Sequence, residues 1–158
     1  GPENVWGSAA TGACLALLIG AGVEPRSLLL VGFSASFAAK LADTFGSEIG
    51  KRWGRRPVLI TTLRSVPPGT EGAISLAGTL ASAAGSVLMT LVMWQLQLLP
   101  SISVSLVVML IGLLATLAES LLGALAQDRF RWLSNELVNA LQTLLAAVMA
   151  MLWLGGRI

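Results

Sequence analysis

The sequence predicts an all-α fold: a polytopic transmembrane helix bundle of about five spans. Three observations carry that prediction. Of 158 residues, 55% are apolar and only 11% are charged, against about 25% charged in an ordinary soluble domain. Mean hydropathy is +0.81, more apolar surface than one core of this size can hide. The apolar residues are gathered into stretches near the ~20 residues that a helix needs to cross a bilayer. Residues 106–115 and 144–154 are continuously apolar, without the alternation that a membrane β-barrel requires. The same composition excludes intrinsic disorder.

The expected spans are, in order, residues 7–22, 27–45, 72–98, 101–126 and 137–155. The first is short and rich in Gly and Ala. It does not read as a signal peptide, because Glu3 rather than a basic segment precedes it. Together the spans leave room only for a single transmembrane domain over residues 1–158, with a basic loop at 46–70 and a second, short one at 127–136. The first loop carries Lys51, Arg52, Arg55, Arg56 and Arg64, and the second Arg129 and Arg131. With five spans both loops lie on one side, which the positive-inside rule makes cytoplasmic, or stromal in a plastid. Trp6, Trp53, Trp94, Trp132 and Trp153 fall near span ends, as interfacial anchors do. The chain opens abruptly on Gly1-Pro2-Glu3-Asn4, so further residues are expected before Gly1 in the full protein.

Several chemistries are excluded at once. There is no His and no Tyr, which removes histidine bases, Ser-His-Asp triads and His-based metal sites. The one cysteine, Cys14, permits no intramolecular disulfide. Attention passes to ionisable groups at membrane depth, which cost at least ~2.5–3.5 kcal/mol each on insertion scales. Lys40 and Asp43 lie three apart and can neutralise each other on one helix face. At 100° per residue they share a stripe with Thr44, Ser47 and Lys51, opposite Leu41, Phe45 and Ile49. That stripe is either a site wall or a buried ion pair with interfacial snorkelling. Glu119 has no cation three or four residues away, so its partner is another helix, a metal, or an interfacial Arg129 or Arg131. Asn135 and Asn139 form one polar face at the start of the last span, suited either to helix–helix hydrogen bonding or to the site.

The segment Ser65-Val66-Pro67-Pro68-Gly69-Thr70-Glu71-Gly72 opens the third span. Thr70 reads as its N-cap and Glu71 as a first-turn acid. With cations nearby, the helix N-terminus would suit a polyphosphate, and anionic lipid headgroups are the rival partner for those cations. It is not a Walker sequence. The packing faces Gly78-x-x-x-Ser82 and Ala81-x-x-x-Gly85 read as structural.

Two motifs resemble a known family. Ala42-Asp43-Thr44-Phe45-Gly46-Ser47-Glu48-Ile49-Gly50-Lys51, and Val66-Pro67-Pro68-Gly69-Thr70-Glu71-Gly72-Ala73-Ile74-Ser75-Leu76-Ala77-Gly78-Thr79, resemble the integral-membrane family that includes plant phytyl-phosphate kinase. Glu119-Ser120-Leu121-Leu122-Gly123-Ala124 and Asn135-x-x-x-Asn139 follow in the family's order. That family is distantly similar to dolichol kinase and phosphatidate cytidylyltransferase, which share an Asp-then-Gly pattern, a Lys-Thr-x-Glu-Gly loop and a late acidic-Ser element. Here Gly69 stands where that loop has Lys, and the late acid is Glu119. The resemblance also implies N-terminal spans in the full protein before this region.

The resemblance implies CTP-dependent phosphorylation of an isoprenyl (phytyl) monophosphate to the diphosphate, assisted by Mg²⁺ or another hard divalent cation. Asp43, Lys51, Glu71 and Glu119 are the expected catalytic residues. Ser47, Arg55, Arg56, Arg64, Gly69, Thr70, Gly72, Asn135 and Asn139 would bind nucleotide and phosphate, and Asp43, Glu48 and Glu119 the metal. The carboxylates of Asp43, Glu71 and Glu119 are therefore expected to share one pocket. Alternatives are a CTP-dependent cytidylyltransferase acting on a lipid phosphate, or a transporter of an anionic metabolite. Expected partners are the lipid monophosphate, the nucleoside triphosphate and membrane lipids, with no nucleic acid and with a homodimer as a further option. The expected location is a bacterial plasma or thylakoid membrane, or a plastid envelope, with the site on the cytoplasmic or stromal side.

Overall fold

The structure is a computed structural model that describes residues 2–127, 130 and 132–157. Five α-helices follow one another: α1 (Pro2–Gly20), α2 (Arg26–Trp53), α3 (Leu76–Gln95), α4 (Ile102–Leu122) and α5 (Asn135–Gly155). A π-helical turn, Gly123–Gln127, extends α4. Four of the helices are long and apolar enough to cross a membrane; α1, apolar over Val5–Gly20, is shorter. Arg129 and Arg131, and with them most of the second basic loop, lie outside the described residues.

Helix α2 is the hub, packing against all four other helices. Its composition explains why: Val31, Gly32, Ser34, Ala35, Ser36, Ala38, Ala39 and Ala42 are all buried, and small side chains let several helices approach one axis. The closest partner is α3. A Cβ at Gly85 would stand 2.6 Å from the Leu41 carbonyl oxygen, and one at Gly46 would strike the Ser82 hydroxyl. The small-residue stripes of α3 are thus a packing face, as the sequence suggests. Met93, Val104, Val108, Ile111, Ala146 and Ala150 close a core around α2, while Leu80, Leu91, Leu106, Leu110, Leu144 and Leu152 face outward. In water such a surface would aggregate; in a bilayer it meets acyl chains.

Two boundaries differ from those expected. Residues 46–53 are not loop but the last turns of α2, which carry the polar stripe onward from Lys40 to Trp53. Helix α3 does not begin at Gly72 with Thr70 as its cap. It begins at Leu76, and Ser75 is the N-cap, its hydroxyl accepting from the Gly78 N–H at 3.1 Å. The reason is backbone geometry. Gly69 and Gly72 hold φ of +87° and +73°, which a helix cannot include. A short antiparallel ladder then pairs β1 (Val58–Leu59) with β2 (Ala73–Ile74), Val58 opposite Ile74. A further bridge joins Val58 to Ser65. Residues 54–75 therefore form a folded strap rather than a free loop.

Candidate functional site

The chain alternates direction through the bundle, so the C-terminal turns of α2 and α4 meet the N-terminal turns of α3 and α5. The strap covers this end. Between them lies a polar cavity of about 390 Å³. Asp43, Ser47, Glu48 and Lys51 of α2, Gly69, Thr70, Glu71 and Gly72 of the strap, Glu119 of α4, and Asn135 and Asn139 of α5 all line it. Residues far apart in sequence, singled out only by residue type and motif, share one wall.

On α2, Lys40 Nζ donates to Asp43 Oδ2 at 2.8 Å and to Asn139 Oδ1 at 2.9 Å, tying α2 to α5. The Lys40 and Asp43 side chains keep 24% and 16% of their exposure. They are neither solvated nor sealed in the core. One turn below, Gln142 is buried, and its Nε2 donates to the Ala39 carbonyl at 3.1 Å and to Thr116 Oγ1 at 3.0 Å. Gln142 Oε1 has no partner among the described residues. This network forms a floor joining α2, α4 and α5 beneath the cavity. The second ion pair, Lys51 with Glu48 at 3.8 Å, is loose and mostly solvated.

The strap reaches α4 through Gly72. A Cβ there would lie 2.7 Å from both the Ser120 carbonyl oxygen and the Ala124 amide nitrogen, so only glycine lets the strap backbone sit against the end of α4. Glu71 is thereby held beside the Glu119-Ser120 turn. That turn runs directly into the π-helical segment Gly123–Gln127, a local rewinding often found at functional sites. Thr70 has a different role from the expected cap: its hydroxyl donates to the Pro67 carbonyl at 2.8 Å, and the Ala73 N–H donates to the Thr70 carbonyl at 3.0 Å, closing the turn.

Not every expected site residue arrives. Arg55, Arg56 and Arg64 are exposed on the strap and are not on the cavity wall. Asp43, Glu48 and Glu119 do not close into a metal-ligating cluster; among the described residues no three acidic or Cys side chains do. Glu48 is turned to solvent, with 72% of its side chain exposed. The structure also adds residues that the sequence reading did not assign to the site: Ser8, Ser75, Thr79 and Ser82, the last read only as part of a packing face, line the cavity. Ser75, Thr79 and Ser82 recur at helical spacing, the one signal that could have marked them as a polar stripe.

The wall carries four carboxylates (Asp43, Glu48, Glu71, Glu119) and two ammonium groups (Lys40, Lys51). Two carboxylates are spoken for by the two lysines, and neither Glu71 nor Glu119 has an ion-pair partner among the described residues. An oxygen-only donor set with surplus negative charge suits a hard divalent cation. No three protein groups among the described residues ligate together, so a cation held there would take further ligands from water or from a bound phosphate.

The family model described as integral membrane protein DUF92 matches residues 1–147. An uncharacterised membrane protein of Synechocystis is 46% identical over 95% of this chain and 58% of its own length. The chloroplastic protein VTE6 of Arabidopsis thaliana is 41% identical over 96% of this chain and 47% of its own. An uncharacterised membrane protein of Methanocaldococcus jannaschii is 39% identical over 78% of this chain and 50% of its own. The chain thus spans about half the length of the curated relatives it matches. No solved structure matches it.

Proposed function

The chain belongs to the DUF92 family of integral membrane proteins, and on that premise we propose that it is the site-bearing part of a CTP-dependent kinase that converts an isoprenyl monophosphate, phytyl phosphate in a photosynthetic organism, to the diphosphate. One observation carries the proposal: Asp43, Glu71 and Glu119, from two helices and a strap, line a single polar cavity at one end of a lipid-facing bundle. A membrane enzyme joining a nucleotide to a prenyl phosphate needs such a place, polar at the membrane surface and flanked by acyl chains. The resemblance of the Asp43 and Thr70-Glu71 motifs to the phytyl-phosphate kinase family supplies the reaction class. Similarity to a chloroplastic protein supports a photosynthetic setting.

In the proposed reaction an oxygen of the lipid phosphate attacks the γ-phosphorus of CTP. A new P–O bond forms, the bond from the γ-phosphorus to the bridging oxygen breaks, and CDP leaves with the electron pair. The attacking group is already an anion, so no base is required, in keeping with a chain that has no His. Phosphoryl transfer then rests on positioning and charge neutralisation. Mg²⁺, when bound, would supply that neutralisation. Asp43 and Glu119 would hold it, while Ser47, Thr70 and the backbone of residues 69–72 would position phosphate oxygens. The side facing the cytoplasm or stroma is taken from the Arg-bearing strap.

The test is product analysis with the full-length protein in vesicles containing phytyl phosphate, Mg²⁺ and CTP labelled at either the α or the γ position. A kinase places γ-label in the lipid fraction and releases CDP. α-Label in the lipid with release of pyrophosphate would replace the kinase with a cytidylyltransferase. Vesicle uptake of an anion without nucleotide turnover would replace both with a transporter.

A further inference from the structure

One ammonium group on the cavity wall, that of Lys40, takes no part in the phosphoryl transfer described above. Lys40 lies on the cavity wall with its ammonium between Asp43 Oδ2 and Asn139 Oδ1. It is more enclosed than Lys51, whose side chain keeps 60% of its exposure against 24% for Lys40. Arg55, Arg56 and Arg64 are exposed and off the wall. The strap residues on the wall, Gly69, Thr70, Glu71 and Gly72 among them, carry no positive charge. So the strap brings backbone and Glu71 to the cavity, but no cation.

We infer that Lys40 is the phosphate-contacting ammonium of this cavity, supplied from α2 instead of from the strap. The inference rests on the reading of the cavity as a phosphoryl-transfer site. A purely structural ion pair would be satisfied by Asp43 alone. Asn139 adds a second acceptor from another helix, which fixes the ammonium at the junction of α2 and α5 on the cavity wall. Lys40 makes and breaks no covalent bond: it remains protonated, and a bound phosphate oxygen becomes a further acceptor of its N–H groups. Charge-assisted hydrogen bonds of this kind are the strong ones.

The test uses inorganic tripolyphosphate with Mg²⁺ as probe, on the purified full chain in detergent or nanodiscs. Lys40→Gln is expected to weaken tripolyphosphate binding by about 30-fold or more, as loss of a charged hydrogen-bond donor does. Lys40→Arg and Arg52→Gln, the latter exposed and off the cavity wall, should each stay within about 3-fold of the wild type, the margin of a conserved or solvated charge. Because Lys40→Gln leaves Asp43 unpaired and can impair folding, a mutation-free measurement runs beside it. Lys40 and Lys51 are the only lysines in the chain, so their acylation by an amine-reactive reagent can be followed separately by mass spectrometry. Tripolyphosphate should protect Lys40 and not Lys51. If tripolyphosphate binds but Lys40→Gln binds it equally well, or the two lysines are protected alike, the role of Lys40 is overturned and the phosphate site survives. If the wild type does not bind tripolyphosphate, the phosphoryl-transfer reading falls, and Lys40 with it.

Discussion

Asp43 and Glu119 meet the cavity from different helices, and their expected contributions differ. Asp43 accepts from Lys40, so Asp43→Asn keeps an acceptor oxygen there while removing the charge. Glu119 has no ion-pair partner among the described residues, so Glu119→Gln removes charge without orphaning a cation. Each substitution is expected to lower turnover by about 10³-fold or more, the scale set by electrostatic groups at a transferring phosphoryl, with a melting temperature close to the wild type. A kinetic assay and a thermal melt on each variant check this. Both acids were legible in the sequence, because an ionisable group at membrane depth is costly and stands out against apolar neighbours. The pairing of Lys40 with Asp43 was also legible, from its i,i+3 spacing. The bond from Lys40 to Asn139 was not, since it joins positions 99 apart in the chain. The arginines differ. Proximity in sequence to the Thr70 turn suggests phosphate contact, whereas in the structure Arg55, Arg56 and Arg64 are exposed and off the cavity wall. The triple change of these three to Gln is expected to leave kcat within about 3-fold, as for other solvated charges; a fall as deep as that of Asp43→Asn would return them to the site.

At the scale of elements, the strap and the end of α4 act as one unit. Gly72 allows the strap to lie on Ser120 and Ala124, and this contact sets Glu71 beside Glu119. Gly72→Val is therefore expected to abolish turnover and to destabilise the strap. Its φ of +73° and its lack of space both forbid the side chain. Limited proteolysis within residues 54–75, faster in the variant than in the wild type, is the readout. Ser75→Ala, which removes the α3 cap, should cost about 1 kcal/mol, measurable as a lowered melting temperature, with the cavity intact. The helices themselves were easy to foresee from apolar length. The strap was not, because two residues on each of two strands give too little periodicity to read. The true start of α3 was hidden behind a plausible cap at Thr70. Only the positive φ at Gly72 and the ladder at Ala73–Ile74 move the boundary to Ser75.

Over the whole molecule, the outward leucines and the polar end make a body with one wet face. By the positive-inside rule the strap arginines predict a cytoplasmic or stromal strap, and this can be tested in a Cys14→Ser background with single cysteines at Thr70 and Gln97, which sit at opposite ends of the bundle. A membrane-impermeant maleimide added to sealed vesicles should label one and not the other, and labelling of both from the same side would contradict the topology. On the proposed function, the cavity bounded by Asp43, Glu71 and Glu119 is where CTP meets a prenyl phosphate. The most direct test of this reading is transfer of γ-label from CTP to phytyl phosphate by the reconstituted full-length protein with Mg²⁺, wild type beside Asp43→Asn. The expected result is labelled lipid diphosphate from the wild type and none above background from the variant, with both proteins melting alike. Lipid label from both proteins equally, or from neither, would contradict it.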